Sequence, residues 1–198
     1  MNYFLTTAFV ITLLKPISAQ DTAKAVTIRK QETVKRADNY TIQRLLVFND
    51  SKQLLLEKNI NGWMTPALRS NENQSLKEGL DSLAKAMGIS IKIIKLAGVF
   101  TYKFKGLPDH KEVSYRTHYI ANFINGNLIQ PKQSDKEYKW LNVKEALGLI
   151  TNEALKAETS QIINHPDTLW GGSFLISYKD EELESIKMME DFYSLSGN

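Results

Sequence analysis

The sequence predicts one α/β domain. Three observations carry this. Apolar, β-rich runs separated by turn residues recur along the chain, one strongly marked amphipathic helix stands among them, and the composition is that of an ordinary globular protein. With 198 residues, 42% of them apolar and 24% charged, the chain can bury a core and is not generally disordered. A formal charge of +3 is too weak to imply a nucleic acid partner, and none is expected. The lack of cysteine excludes disulfides, thiolate metal sites, a Cys nucleophile and a lipidated Cys.

Tyr3–Leu14 is a mostly apolar run. It is shorter than the roughly 20 residues a bilayer span needs and matches the apolar part of a secretory signal. Lys15-Pro16 end the run, and Ile17-Ser18-Ala19 offers a cleavage site. Residues 1–19 are therefore expected to be a signal peptide. The protein would be exported, periplasmic or secreted, with no membrane span left after cleavage. Residues 20–40 read as a polar, basic lead-in, and the domain itself as 41–198.

Ile42–Phe48 and Leu54–Leu56 flank Asn49-Asp50-Ser51-Lys52, which predicts a hairpin. Gly62–Pro66 reads as a loop. Ser75-Leu76-Lys77-Glu78 is a capping box, and Leu76, Leu80, Leu83 and Met87 follow on one helical face until Gly88. A helix is expected over about 76–87. Ile91–Leu96, Val99–Phe104 and Tyr115–Ile124 read as three strands. Asn125-Gly126, between Phe123-Ile124 and Leu128-Ile129, signals a hairpin. Trp140-Leu141 closes the sheet region, Val143–Ile150 and Glu153–Ile163 read as helices, and His165-Pro166 breaks the second. Ser173–Tyr178 is expected as a strand and Asp180–Tyr193 as a C-terminal helix with Leu183, Ile186 and Met189 inward.

This order resembles the Nudix family. The resemblance rests on Leu54–Lys58, Trp63-Met64-Thr65-Pro66, Leu83 through Gly88-Ile89, and Glu137-Tyr138-Lys139-Trp140, and it covers about residues 41–150. It implies an α/β/α sandwich around a mixed sheet, here with extra C-terminal helices. It also implies a loop and helix whose carboxylates hold Mg²⁺ on a diphosphate that water attacks. The family's box runs Gly, five residues, Glu, seven residues, Arg-Glu, an aliphatic, any, Glu-Glu, any, Gly, an aliphatic. The positions here are Ala67, Asn73, Asp81, Ser82, Leu83, Lys85, Ala86, Gly88 and Ile89. Leu83, Gly88 and Ile89 match; the carboxylates do not.

Mg²⁺ requires hard oxygen ligands, whereas alanine offers none and lysine repels the ion. The expectation is an exported Nudix-like pseudoenzyme that binds a small phosphorylated or nucleotide-like ligand and needs no cofactor. Lys85, standing where the ion would sit, would meet a phosphate directly, helped by Lys58 and Arg69, with Trp63 stacking a base. The alternative is an unusual Mg²⁺-dependent hydrolase of a nucleoside-diphosphate-linked compound, with Glu72, Glu78 and Asp81 as metal ligands and Glu137 as a catalytic residue. Against it, Glu78 reads equally as the helix cap and Asp81 as the partner of Lys85. A third reading is a protein–protein module using Trp170-Gly171-Gly172 and the C-terminal helix. Tyr102, Phe104 and Tyr115 interleaved with Lys103, Lys105 and Arg116 read as the alternating faces of a half-buried sheet.

Overall fold

The computed structural model describes residues 41–70, 73–107, 113–132 and 136–196. The expected signal peptide 1–19, the lead-in 20–40 and Glu72 lie outside the described residues. The described elements are β1 (Thr41–Phe48), β2 (Leu54–Asn59), β3 (Gly62–Met64), β4 (Ala67–Arg69), α1 (Leu76–Ala86), β5 (Ile89–Lys105), β6 (Val113–Gly126), β7 (Glu137–Leu141), α2 (Val143–Leu149), α3 (Glu153–Asn164), β8 (Trp170–Lys179) and β9 (Glu182–Ser194).

The strands form one mixed sheet in the order β3-β2-β1-β6-β5-β8-β9, with β4 on β1 and β7 on β2. β1 runs parallel to β6, and β5 runs parallel to β8. Side chains of a strand alternate between faces, so β1 serves two cores. Leu45 and Val47 pack with Leu55, Ala121 and the buried Leu80, Ala84 and Met87 around α1. Leu46 packs on the other face with Leu54, Leu56, Phe100 and residues of α2 and α3, including Ala146, Leu155 and Ile162. The result is the expected α/β/α sandwich.

The cap of α1 is the box read from the sequence. The Ser75 side chain accepts from the Glu78 backbone N–H, and the Glu78 carboxylate accepts from the Ser75 N–H. After the C-cap Met87, Gly88 adopts φ +82°, and a Cβ there would stand 2.3 Å from the Asn127 carbonyl oxygen. The buried stripe runs through Gly79, Leu80, Ala84 and Met87, whereas Leu76 is exposed.

Four expectations are corrected. Gly62–Pro66 is not all loop, because Gly62–Met64 pair with β2 and the Pro66 carbonyl accepts from the Leu45 N–H. Ile91–Leu96 and Val99–Phe104 are parts of one strand, β5, whose irregularities fall within Ser90/Ile91, Ile93/Lys95 and Leu96/Gly98. Asn125-Gly126 makes no hairpin; these residues end β6 opposite Ser90 and Ile89 of β5. Finally, Asp180–Tyr193 is not a helix. Asp180 and Glu181 both have positive φ, and Lys179 pairs with Glu182. That is the two-residue connection whose twist suits a hairpin, and it turns β8 into β9. Phe192 of β9 then meets Phe100 edge-on at 5.7 Å and Phe174 at 6.2 Å, and Leu183 and Met189 are left exposed. The extension beyond α3 is thus a β-hairpin, and the C-terminal helices of the domain are α2 and α3.

Candidate functional site

The residues expected to act together from the sequence are divided among separate places. Lys85 sits exposed in the last turn of α1, and Arg69 is exposed on β4 opposite Ile42. On α1, the Glu78 carboxylate is held by the cap, whose hydrogen bonds from Ser75 lower its pKa. Asp81 pairs with Lys77, one turn earlier, rather than with Lys85. Ser82 and Ala86 complete the positions where the resembled family carries carboxylates. Among the described residues, no three His, Asp or Glu side chains gather as a metal set. The described residues of α1 therefore do not fit Mg²⁺.

Three of the expected site residues do come together. In the β7-β2-β3 register Lys58 lies opposite Glu137 on one side and Trp63 on the other, so the three share one face of the sheet. The Lys58 ammonium stands over the Trp63 ring at 5.9 Å. Trp63 is fixed in turn: its N–H donates to Thr151 Oγ1, and its carbonyl accepts from the Thr151 N–H. With the indole under its ammonium and Glu137 in the neighbouring register position, Lys58 sits in a cross-strand surface row.

Two cavities among the described residues are lined by none of Lys58, Trp63, Arg69 and Lys85. One, of about 710 Å³, lies beside the start of α1 between Leu76, Leu80, Ile91, Ile93 and Tyr119. Of its charged groups, Lys77 and Asp81 are paired with each other. The second, of about 740 Å³, opens over the other face of the sheet, between β1, β5 and β6 on one side and α3, β8 and β9 on the other. Its lining includes two arginines, Arg44 and Arg116.

The register explains that lining. Arg44 shares its phase on β1 with Leu46, and Arg116 and His118 share theirs on β6 with Ile120, so all these side chains face the α3 core. Tyr102 of β5 lies opposite Ser114 and Phe100 opposite Arg116, which sets the Arg116 guanidinium over the Tyr102 ring at 4.7 Å. Arg116 Nη1 donates to Ser114 Oγ at 2.8 Å, and Arg44 Nη1 donates to the Thr65 carbonyl at 3.1 Å. From above, Glu158 of α3 puts Oε2 3.0 Å from His118 Nε2, with both side chains fully buried. The two atoms are close without the alignment of a hydrogen bond, and Arg44 Nε also lacks a hydrogen-bond partner.

The electrostatics follow from burial. Desolvation depresses the Arg44 pKa against the pull of Tyr102 and Glu158. It also holds His118 below its usual 6.5 despite Glu158, so this imidazole is neutral at pH 7. Tyr102 is pushed well above 10 by burial and then by Glu158, and it remains a neutral phenol. Arg44 and Arg116 thus line one open cavity, and the buried Glu158 acts on Arg44 from α3. A desolvated guanidinium is costly unless a negative or polar partner answers it. The arrangement is suited to holding an anion.

Reasoning from the sequence singled out none of Arg44, His118 or Glu158 as a site residue, and it read Tyr102 and Arg116 as one stretch of ordinary sheet. The available signal was phase. Glu158 stands three after Leu155 and four before Ile162, both fully buried, on the inner stripe of α3.

No protein-family model matches the sequence, and no curated protein does. Solved structures do match. A mutator MutT protein from Bacillus halodurans superposes with a TM-score of 0.58 at 20% identity, over 76% of this chain and 97% of that one. A NUDIX hydrolase from Nitrosomonas europaea gives 0.54 at 15% identity, over 72% and 81%. The MutT protein from Methanosarcina mazei Go1 gives 0.51 at 16%, over 68% and 99%. The chain has a Nudix-type fold.

Proposed function

We propose that this protein is an exported Nudix-fold domain that binds a phosphorylated or nucleotide-like ligand without hydrolysing it. The ligand site is the cavity over Arg44, Tyr102 and Arg116, rather than the surface around Lys58, Trp63, Arg69 and Lys85. The observation that carries this reading is the presence of both the Arg44 and Arg116 guanidiniums in the lining of one open cavity, with Arg44 desolvated. Its counterpart is α1, where the two described carboxylates expected as ligands are engaged as a cap and a surface ion pair. No step is routed through a metal, since the described residues of α1 do not assemble its ligands.

The test is a melting-temperature screen of the 20–198 protein against inorganic phosphate, nucleoside mono- and diphosphates and a nucleoside diphosphate sugar, with Mg²⁺ and with chelator, beside a phosphate-release assay. Stabilisation that survives chelation, without release and lost in Arg116→Met, supports binding alone. Stabilisation by none of these compounds removes the ligand reading. Mg²⁺- or Mn²⁺-dependent release abolished by Glu78→Ala, Asp81→Ala or Glu137→Ala establishes the hydrolase that the names of the matched structures suggest. Export is tested separately, by N-terminal sequencing of the protein recovered outside the cytoplasm. A start at Gln20 is expected, and an uncleaved cytoplasmic chain would refute export.

A further inference from the structure

We infer that the outer edge of β9 pairs with β9 of a second copy of this chain, in one antiparallel register centred on Met188. β9 is the last strand of the sheet, and among the described residues no strand pairs with its outer side. The other strands at the margins are short. β3 and β4 have three residues each and β7 has five, and short strands are one way in which a sheet blunts its edges. β9 has 13. It is also anchored, because Ile186 and Phe192 pack with Phe174 and Ile176 on the α3 side of the sheet. Its other apolar side chains, Leu183, Met188, Met189 and Tyr193, are exposed. A long, anchored and partly apolar edge offers its backbone donors and acceptors to another strand.

Charge identifies the partner strand and its register. The pairing with β8 gives the phase of β9: Ser173 lies opposite Glu190, Phe174 opposite Met188 and Leu175 opposite Lys187. Successive positions alternate in face, so Lys187 and Glu190 share one face, a step to either side of Met188, which belongs to the other. Among the described residues neither Lys187 nor Glu190 has an ion-pair partner. A two-fold axis normal to the sheet through Met188 sets Lys187 of each copy opposite Glu190 of the other, which makes two cross-strand ion pairs. Counted by the same β8 partners, Tyr193 then falls opposite Ser185 and Leu183 opposite Ser194. Moving the axis one position either way sets Lys187 opposite its own copy, or Glu190 opposite its own. The neighbouring registers therefore place like charges against each other, and the one centred on Met188 is selected. The contact is isologous, so it closes after two copies instead of extending the sheet into a fibre.

The experiment is sedimentation velocity of the full chain from micromolar to submillimolar concentration, with a melting curve for every variant. A monomer–dimer equilibrium is expected. Lys187→Glu, and separately Glu190→Lys, should weaken it about tenfold or more, because symmetry turns two attractions into two repulsions at once. The double variant, Lys187→Glu with Glu190→Lys, should return it to near the parent. Both positions are exposed and line neither cavity. Since the chain has no cysteine, Met188→Cys adds a reporter at the axis. Directly opposed residues of antiparallel strands stand about 4.5–5.5 Å apart at Cα, within disulfide reach, so mild oxidation should link two copies of Met188→Cys. Glu182→Cys, at the far end of the strand, should not link. A monomer throughout the range means that the bulges and acids of β9 shield its edge, and it overturns the inference. So does a dimer indifferent to both single charge changes in protein that melts like the parent, or one that the double variant fails to restore. Oxidation that links Glu182→Cys as readily as Met188→Cys overturns the register and the inference with it.

Discussion

Replacing Glu158 by Gln isolates the charge at the centre of the buried cluster. The two side chains are close in size, so no cavity opens and the apolar contacts of α3 are kept. What changes is that Arg44 loses the field of the buried carboxylate and His118 loses its charged neighbour. The site is dry: the Glu158 and His118 side chains have no exposed surface, and the Arg44 pKa is already depressed by desolvation. Breaking a buried ion cluster from one side costs about 3–5 kcal/mol, and the retained polar amide sets the expectation near the lower end, about 3 kcal/mol. For a domain of this size that is a fall of about 6–12 °C in melting temperature. Urea denaturation followed by tryptophan fluorescence measures it. A second readout separates charge from packing: phosphate or sulfate should recover more stability in Glu158→Gln than in the parent, because the variant has lost a buried negative charge near Arg44. A cost below about 0.5 kcal/mol, the range of ordinary surface changes, would refute the reasoning. So would a variant no more responsive to anions than the parent.

Three further outcomes are expected. Because burial holds the folded-state His118 pKa below its unfolded value, the unfolded chain binds the extra proton between the two; stability should be level above about pH 6.5 and fall as pH drops below it, and His118→Gln should flatten that part of a melting-temperature profile from pH 5 to 8. Gly88→Ala should cost about 2–4 kcal/mol in urea denaturation, since φ is +82° and the new Cβ would lie 2.3 Å from a backbone oxygen; a loss under 1 kcal/mol would mean that the 127–129 segment yields easily. Phe100→Ala should cost about 3–5 kcal/mol by removing a fully buried ring that meets His118 at 5.2 Å and Phe192 at 5.7 Å, with Phe192→Ala, half-buried, costing less in the same denaturation series.

The parts of the fold legible in the sequence are those that local chemistry decides. Ser75 and Glu78 announce their helix because each satisfies the other's backbone at three residues' distance. The apolar phase of Ile42–Phe48 announces a strand in the same local way. The parts misread are decided by partners far along the chain. Leu183, Ile186 and Met189 have helical spacing, but the carbonyls and N–H groups of this segment are taken by β8, and Phe192 is held against Phe100, ninety-two positions earlier. The hairpin turn at Asp180-Glu181 carries no glycine, so its positive φ values left no signature. Asn125-Gly126 shows the opposite failure: strong turn chemistry was overridden because β5 extends far enough to pair with it. Lys58, Trp63 and Glu137 come from separate motifs and stand in one cross-strand row, with the Lys58 ammonium over the Trp63 ring.

The buried charges carry a lesson of a different kind. Arg44 stands inside Ile42-Gln43-Arg44-Leu45-Leu46-Val47, where any even-numbered residue of the strand shares its face with Leu46. Arg116 and His118 occupy the same phase as Ile120, and Glu158 lies on the stripe of Leu155 and Ile162. Each of the four, taken singly, is an unfavourable choice for a core-facing position, and an apolar residue of similar volume would generally be as stable or more so. Stability therefore does not account for them. They are drawn from three segments separated by loops and helices, yet the register brings them together beneath one cavity. A folded chain that keeps two arginines and an acid where desolvation is greatest has a use for the field they make, and the use nearest to hand is an anion at the open end of that cavity. The same reasoning says where such a site is to be sought in a sequence: at charged residues in phase with the core, rather than at charged residues already on the surface.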